Sequence, residues 1–179
     1  MRHTLLLTGS PGIGKTTIIK KIIAELGDRA GGFYTEEILG PGGRKGFRVL
    51  TLDGRGVTMA HIDIRSKSKV GRYGVDVSAF ERVGVAALRG AIERSAVVVI
   101  DEIGKMELFS SQFQSAVIKA ISCGKPVVAT AMLAAHPWVD ALKTMPGVQT
   151  LEVTRANRDA LPARVMSWLE SLDVRPSAA

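Results

Sequence analysis

The sequence GSPGIGKT at residues 9–16 decides the fold of this chain. It fits the pattern G-x-x-x-x-G-K-[ST], a glycine-rich turn whose backbone N–H groups converge on a phosphate. The mostly apolar residues 3–8 before it predict a short buried strand, and apolar residues at helical spacing after it predict a helix up to Leu26. A strand, a glycine-rich turn and a helix N-terminus together form an anion-binding site, because the helix dipole adds positive potential there.

Each residue type in this loop has a physical role. The glycines permit positive φ and a close approach of the backbone to phosphate. Lys15 is expected to place its ammonium group on the β- and γ-phosphates and so to act in catalysis, and the Thr16 hydroxyl is expected to bind Mg²⁺. The residues predicted to contact a nucleotide here are Gly9, Ser10, Pro11, Gly12, Ile13, Gly14, Lys15, Thr16 and Thr17.

A second cluster of candidate residues follows the apolar run AVVVI at residues 96–100. Such a run predicts a strand buried on both faces, and the acidic pair after it lies at the strand's carboxyl end, where the phosphate loop also lies. Asp101 is therefore the predicted Mg²⁺ ligand, directly or through a water. Glu102 is predicted to accept a proton from the attacking water or to position that water.

Four further candidates depend on spacing alone. Lys105 is either a cation that neutralises charge in the transition state or a surface lysine, and Glu107 is predicted to be structural. Thr130 ends the strand expected beside the Asp101 strand, where its hydroxyl can touch the γ-phosphate or the water. Arg158 follows the last strand and either stacks on the base or has a structural role at a helix start.

The same segments indicate loose base specificity. Residues 101–104, DEIG, match the D-x-x-G element of regulatory GTPases, but no [NT]-K-x-D segment for guanine recognition occurs in the chain. A glutamate beside the aspartate is instead typical of P-loop ATPases that use a glutamate to activate water. We therefore expect that several bases are accepted.

Composition limits the other possibilities. Lys and Arg number 24 against 17 acidic residues, and the net charge of +7 favours anionic partners. The densest basic cluster, at residues 65–72, is either a solvated loop or a contact for phosphate or nucleic acid. The single cysteine excludes a disulfide framework, and no apolar run is long enough to span a bilayer. Because the chain leads directly into its first strand without a signal peptide, a cytoplasmic protein with no membrane partner is expected.

Strands and helices are predicted to alternate along the chain. Gly31 and Gly32 are expected to break the pattern after the first helix. An antiparallel β-meander follows, with glycine-rich turns between strands at 33–39, 46–52 and 57–62. Residues 65–76 are expected to form a loop. A parallel α/β sheet is then predicted from strands at 96–100, 127–130 and 148–153 that alternate with helices at about 78–94, 111–122, 138–143 and 161–172.

These motifs resemble those of the THEP1-type nucleoside-triphosphatases, small P-loop proteins, over nearly the whole chain. The matching segments are GSPGIGKTT, GGFYTEE, KGFRVLTL, VGRYGVDV, VVVIDEIGKMEL and NRDALP. The resemblance implies Mg²⁺-dependent hydrolysis of nucleoside triphosphates to diphosphates with broad base tolerance. It favours Lys105 as a catalytic residue. It also implies a second set of nucleotide contacts, namely Ile100, Asp101, Glu102, Ile103, Gly104, Lys105, Met106 and Glu107.

The expected fold class is α/β: a P-loop NTPase fold of RecA/ASCE-like type, a three-layer sandwich with a mainly parallel central sheet and an inserted antiparallel β-meander. Residues 1–172 are expected to form one domain with the meander at 33–62 inside it. Residues 173–179 are expected to form a tail, and the protein is expected to be a monomer.

Two other functions stay open at this point. A phosphotransferase would replace water by an acceptor hydroxyl, but no arginine-bearing lid is evident unless residues 65–72 supply one. A nucleotide-switched ATPase that binds nucleic acid fits the positive charge. It is not favoured, because aromatic residues make up only 5% of the chain and basic and aromatic residues are not interleaved.

Overall fold

A mixed β-sheet with helices on both faces organises the structure, a computed structural model that describes residues 3–172. The strands are β1 (Thr4–Gly9), β2 (Ala30–Gly40), β3 (Gly43–Thr51), β4 (Gly56–His61), β5 (Lys69–Val70), β6 (Tyr73–Val75), β7 (Val97–Ile103), β8 (Val127–Met132) and β9 (Val148–Glu152). The helices are α1 (Lys15–Leu26), α2 (Val77–Phe80), α3 (Ala86–Arg94), α4 (Ser111–Ser122), α5 (Pro137–Lys143) and α6 (Leu161–Ser171). A π-helical turn over Glu81–Val85 joins α2 to α3.

The strand order brings the two predicted halves of the site together. The nine strands follow the order β5-β6-β4-β3-β2-β7-β8-β1-β9, and β2, β7, β8, β1 and β9 are mutually parallel. Because the carboxyl ends of parallel strands meet at one edge, the loop after β1 and the acidic pair near the end of β7 lie at the same edge of the sheet. β8 lies between them.

Hydrophobic clusters on the two faces of the sheet hold the helices in place. Helices α1 and α6 pack on one face through residues such as Ile19, Ile22 and Val165. Helices α2 to α5 pack on the other face, where the rings of Phe80 and Phe113 are 5.3 Å apart. This arrangement is the expected three-layer α/β fold with a mostly parallel sheet.

Two sequence-based expectations about the first half of the sheet were wrong. Gly31 and Gly32 do not break the pattern but lie within β2, which starts at Ala30. Glycine is required at position 32 because an added Cβ would lie 2.0 Å from the carbonyl oxygen of Val99 in the neighbouring strand. Nor are residues 65–76 only a loop: the edge strands β5 and β6 form there, since Tyr73 and Val75 find burial against the sheet.

The antiparallel strands continue the same sheet. From Ala30 to Phe33, β2 pairs with β7 in parallel; from Phe33 to Gly40, it pairs with β3 in antiparallel register. Strand β2 therefore runs past the edge at which the phosphate loop lies.

Within residues 3–172, no helix has both the length and the apolar character needed to cross a bilayer. The predicted tail at 173–179 lies outside the described residues.

Replacing Gly32 by alanine should lower the free energy of unfolding by about 2–4 kcal/mol, since the clash with Val99 is a clash with backbone and the position has positive φ. Gly42→Ala is the matched control. Gly42 also has positive φ, but an added Cβ there meets nothing within 4 Å, so the loss should be about 1 kcal/mol. Equilibrium unfolding in urea measures both losses, and equal values would contradict the close-packing explanation.

Candidate active site

The segment between β1 and α1 has the local features that the predicted anion cradle needs. Gly14 is the N-cap residue of α1 and has φ 113°, a backbone conformation that residues other than glycine rarely adopt. No side chain caps this helix end, and no acidic residue occupies its first turn. The N–H groups at the start of α1 are therefore available to an anion, and the helix dipole favours negative charge there.

Lys15 is held inside the loop by main-chain carbonyls. Its side chain is 7% exposed, and Nζ donates hydrogen bonds to the carbonyl oxygens of Gly9 at 2.9 Å and Ser10 at 3.4 Å. The same Nζ lies 3.9 Å from Oε2 of Glu102. The ammonium group thus stands between the loop and the acidic pair, with a carboxylate already close to it.

Asp101 is the most connected side chain of the site. It is fully buried, and its Oδ2 accepts hydrogen bonds from the Thr16 hydroxyl at 2.9 Å and from the Thr35 amide at 3.4 Å. Its Oδ1 accepts a hydrogen bond from the Thr130 hydroxyl at 2.5 Å. Burial raises the pKa of Asp101, while the donors and the charge of Lys15 favour the ionised form and oppose this rise.

The pair formed by Thr16 and Asp101 suits a hard divalent cation. A hydroxyl oxygen and a carboxylate oxygen 2.9 Å apart are the kinds of ligand that Mg²⁺ prefers. Residues 3–172 contain no cluster of three or more His, Cys, Asp or Glu side chains that could hold a metal by itself. A cation at this pair would therefore complete its ligand set with phosphate oxygens and water, as Mg²⁺ commonly does with nucleotides.

Two further carboxyl groups surround Gly104. Glu102 is half-buried; burial raises its pKa, Lys15 opposes this rise, and Asp101 adds to it. Glu107 is 5% exposed, and its Oε2 accepts a hydrogen bond from the Gly104 amide at 3.2 Å. Burial, followed by the charge of Glu102, raises the pKa of Glu107 to about 8. Glu107 therefore holds its proton to a higher pH than an exposed glutamate does, whereas Glu102 faces the ammonium group of Lys15.

The other residues of the predicted contact segment 100–107 differ in burial. The side chains of Ile100 and Ile103 are buried in the hydrophobic core, so any contact that they make with a nucleotide would be through the main chain. Met106 packs half-buried against that core, and Lys105 is exposed in the loop after β7. Within residues 3–172, Lys105 makes no ion pair.

Two candidates from other elements also lie beside the site. Arg158 lies over the phosphate loop, where its Nη1 donates to the carbonyl oxygen of Ile13 at 3.3 Å. Thr130 is fully buried behind Asp101, with its hydroxyl committed to that carboxylate. Thr17 is exposed in the first turn of α1.

Sequence reasoning missed Thr35, whose main-chain amide contacts Asp101. A main-chain donor leaves no mark in residue type, so chemistry-bearing residues alone would not reveal it. The segment GGFYTEE, which contains Thr35, resembles the THEP1-type family, and this was the one available signal that β2 belongs to the site.

The basic residues 65–72 lie far from the site. Arg72 lies between β5 and β6, donates to the carbonyl oxygen of Arg44 and stacks its guanidinium 5.3 Å from the centre of the Tyr73 ring. Strands β4, β3 and β2 separate β6 from β7, a distance of roughly 19 Å at the usual strand spacing. The suggestion that this segment forms a lid or supplies an arginine to the phosphates therefore has no support from the fold.

Comparisons with known proteins agree with this fold. A family model described as NTPase matches residues 4–166. The nucleoside-triphosphatase THEP1 of Thermotoga petrophila is 43% identical over 166 residues, which cover 93% of this chain and 92% of that protein. The crystal structure of THEP1 from the hyperthermophile Aquifex aeolicus has a TM-score of 0.85 and 40% identity, covering 93% of this chain and 99% of that one.

A solution structure of a human cancer-related nucleoside triphosphatase gives a TM-score of 0.81 at 36% identity, covering 96% of this chain and 98% of that one. These similarities extend over nearly the full length of each protein, and both the phosphate loop and the acidic pair lie inside the matched region. The chain therefore belongs to the THEP1 nucleoside-triphosphatase family.

Proposed function

We propose that the protein hydrolyses nucleoside triphosphates to diphosphates and phosphate, that it uses Mg²⁺, and that it tolerates several bases. One observation carries the proposal: Lys15 and Thr16 of the loop converge on Glu102 and Asp101 of β7. A phosphate cradle, a cation site and a candidate base thus share one edge of the sheet. The relatives named nucleoside-triphosphatase support the same reaction class.

The triphosphate would bind along the loop at the start of α1. Main-chain N–H groups and the helix dipole attract the phosphate oxygens, and Lys15 can exchange its carbonyl partners for the β- and γ-phosphates. Thr16 and Asp101 would hold Mg²⁺, which neutralises charge on the phosphates when bound. Thr130 and Thr35 then act indirectly, since they fix both carboxylate oxygens of Asp101.

Glu102 is the proposed acceptor of the proton from the attacking water. The water oxygen forms a bond to the γ-phosphorus, the bond from that phosphorus to the β–γ bridging oxygen breaks, and a water proton passes to the Glu102 carboxylate. Partial burial raises the pKa of Glu102 and so makes its carboxylate a stronger base. Lys105, exposed in the next loop, is the proposed cation that approaches the phosphates from the open side.

Broad base tolerance follows from the type of contact that Arg158 can make. Its guanidinium lies over the loop, where Nη1 donates to the carbonyl oxygen of Ile13, and we propose that the base stacks against it. Stacking uses the face of a ring, which all nucleobases have, rather than the edge at which they differ. We also propose the RecA/ASCE-like assignment, which the position of β8 between β1 and β7 supports.

Phosphate release measured with ATP, GTP, CTP and UTP, each with and without Mg²⁺ and with a panel of acceptor alcohols and nucleotides, tests the reaction class. Release to water from several triphosphates, dependent on Mg²⁺, is the expected result. Transfer only to an acceptor would identify a phosphotransferase instead. Turnover that requires RNA or DNA and falls with salt would identify a nucleic-acid-dependent ATPase.

Lys15→Ala and Glu102→Gln should separate binding from turnover. Loss of the ammonium should raise the Kd for a non-hydrolysable triphosphate by about tenfold or more, because a charge-assisted contact to phosphate disappears. Glu102→Gln keeps the side-chain size, so it should leave that Kd nearly unchanged and lower kcat by about 10²-fold. Equilibrium binding and steady-state phosphate release measure the two effects; wild-type turnover in the Gln variant would remove Glu102 from the mechanism.

The buried carboxyl of Glu107 should make stability depend on pH. Its pKa in the folded protein is about 8 against a usual 4.5, so between these values the folded state keeps a proton that the unfolded chain has lost. The contribution of Glu107 to stability is therefore complete below pH about 4.5 and is lost as pH rises toward 8.

Glu107→Gln, which cannot titrate, should remove this loss. The unfolding free energy of the variant, taken relative to wild type, should rise steadily from pH about 5 to about 8 in urea titrations. Glu37→Gln, at an exposed glutamate of β2, is the control and should run parallel to wild type. Parallel curves for Glu107→Gln as well would show that this carboxyl is ionised in the folded protein.

A further inference from the structure

Strand β2 borders the candidate metal site, and the proposed mechanism uses only its Thr35 amide. Its pairing with β7 ends at Phe33, opposite Ile100, one residue before Asp101. From there β2 continues past the sheet edge paired with β3 alone. The amide of Thr35 reaches back to Oδ2 of Asp101, the oxygen that also accepts from Thr16. The position of β2 therefore affects the orientation of this carboxylate.

Glu36, the next residue, binds two cations from two different elements. Its Oε1 pairs with Nζ of Lys20 in α1. Its Oε2 accepts from Nη2 of Arg48 in β3 at 2.7 Å and from Nε of the same guanidinium at 3.1 Å. The glutamate is the most buried of the three charged groups, at 21% exposure, and the hydrogen bonds from Lys20 and Arg48 lower its pKa.

This ion-pair network connects the helix of the phosphate loop with the strand beside the metal site. Lys20 is one helical turn after Thr16, and side chains on a helix lean toward its N-terminus, here toward the phosphate end. Nζ of Lys20 also lies 5.2 Å from the centre of the Tyr34 ring, which precedes Thr35. Thr16 and Thr35, the two donors to Oδ2 of Asp101, thus belong to elements that Glu36 holds together.

We propose that Glu36 is a positioning residue for the cation site: its ion pair with Lys20 holds β2 against α1, and its pair with Arg48 fixes the carboxylate on β3, so that Thr35 and Thr16 both donate to Asp101. The inference rests on the proposed Mg²⁺-dependent function. Partly exposed ion pairs contribute only about 0–1 kcal/mol to stability, so the network is not required for folding. Mutation of a residue that orients a metal ligand commonly lowers metal affinity or activity by about 10–100-fold.

The neighbouring residue provides a matched control. Glu37 lies on the opposite face of β2, is 52% exposed and pairs with Arg44 of β3. Glu37→Gln removes the same charge by the same isosteric change, one residue away, without touching a link to α1. Comparison of Glu36→Gln with Glu37→Gln therefore separates positioning from the loss of one negative charge.

The first measurement is the binding of Mg²⁺, by calorimetric titration into the protein saturated with a non-hydrolysable triphosphate. Glu36→Gln should weaken Mg²⁺ binding by about tenfold, and Glu37→Gln should not change it. Triphosphate binding without Mg²⁺ should not weaken in Glu36→Gln, because freeing Lys20 and Arg48 leaves more positive charge near the phosphates. Glu36→Asp, which keeps the carboxylate, should restore part of the loss.

The second measurement is hydrogen exchange at the Thr35 amide, followed by NMR without nucleotide or metal. Exchange should be several-fold faster in Glu36→Gln and in Lys20→Gln, which cuts only the link to α1, and unchanged in Glu37→Gln. Urea unfolding of all variants should stay within about 1 kcal/mol of wild type. Exchange that accelerates equally in Glu36→Gln and Glu37→Gln would overturn the proposal, as would wild-type Mg²⁺ affinity in Glu36→Gln.

Both measurements are independent of turnover. A wild-type protein that releases no phosphate would therefore overturn the proposed hydrolase but leave the Glu36 comparison readable. Normal wild-type hydrolysis with no difference between the two glutamine variants would overturn only the role of Glu36. In steady-state kinetics, Glu36→Gln should lower kcat at limiting Mg²⁺ and regain most of it at high Mg²⁺, a split that a general loss of folded protein would not produce.

Discussion

The buried carboxylate of Asp101 is the interaction on which the arrangement of this site depends. A carboxylate removed from water is costly unless donors replace its hydration. Here Thr16, Thr130 and Thr35 supply them from α1, β8 and β2 respectively. Hydrogen bonding to this one carboxylate therefore requires β2, β7, β8 and the start of α1 to lie side by side. In the sheet, β2, β7 and β8 are consecutive neighbours, and β1, which leads into α1, follows β8.

The packing around this charge explains several features of the fold. Gly32 allows β2 to approach β7 more closely than any side chain would permit, and Phe33 follows it into the core. The rings of Phe33 and Phe80 meet edge to face at 5.6 Å, and this contact fixes β2 against α2 on the face that α2 to α5 cover. On the opposite face, Glu36 links β2 to α1. Strand β2 is thus held from both sides at the point where it passes Asp101.

The most local signals in the sequence predicted the fold best. The loop at residues 9–16 and helix α4 were located correctly, because each depends on residue types within a few positions of one another. Gly31 and Gly32 misled the prediction. Glycine usually marks a turn, whereas here Gly32 allows a close contact with β7 and Gly31 a close contact with Ser95. Strand β6 was missed because its pairing with β4 is not local in sequence, and β5, which pairs with β6, was missed with it.

The candidate site shows the same division. Lys15, Thr16, Asp101 and Glu102 could be named from motifs, since each motif carries its own chemistry. The contact of Thr35 with Asp101 could not, because a main-chain amide looks the same at every position. Thr130 was predicted in the strand beside β7, as observed. That its hydroxyl donates to Asp101, and does not face an open site, depends on its full burial.

The sequence by itself determined the candidate phosphate loop and the acidic pair, because both follow from residue types at short spacing. Only the tertiary structure decided which groups surround the acidic pair: a buried Glu107 with a raised pKa, two threonine hydroxyls and the main-chain amide of Thr35. The reason is physical. Burial, pKa and partner distance depend on residues such as Thr130 and Thr16, which are 29 and 85 residues from Asp101 in the chain and meet it only when the sheet forms.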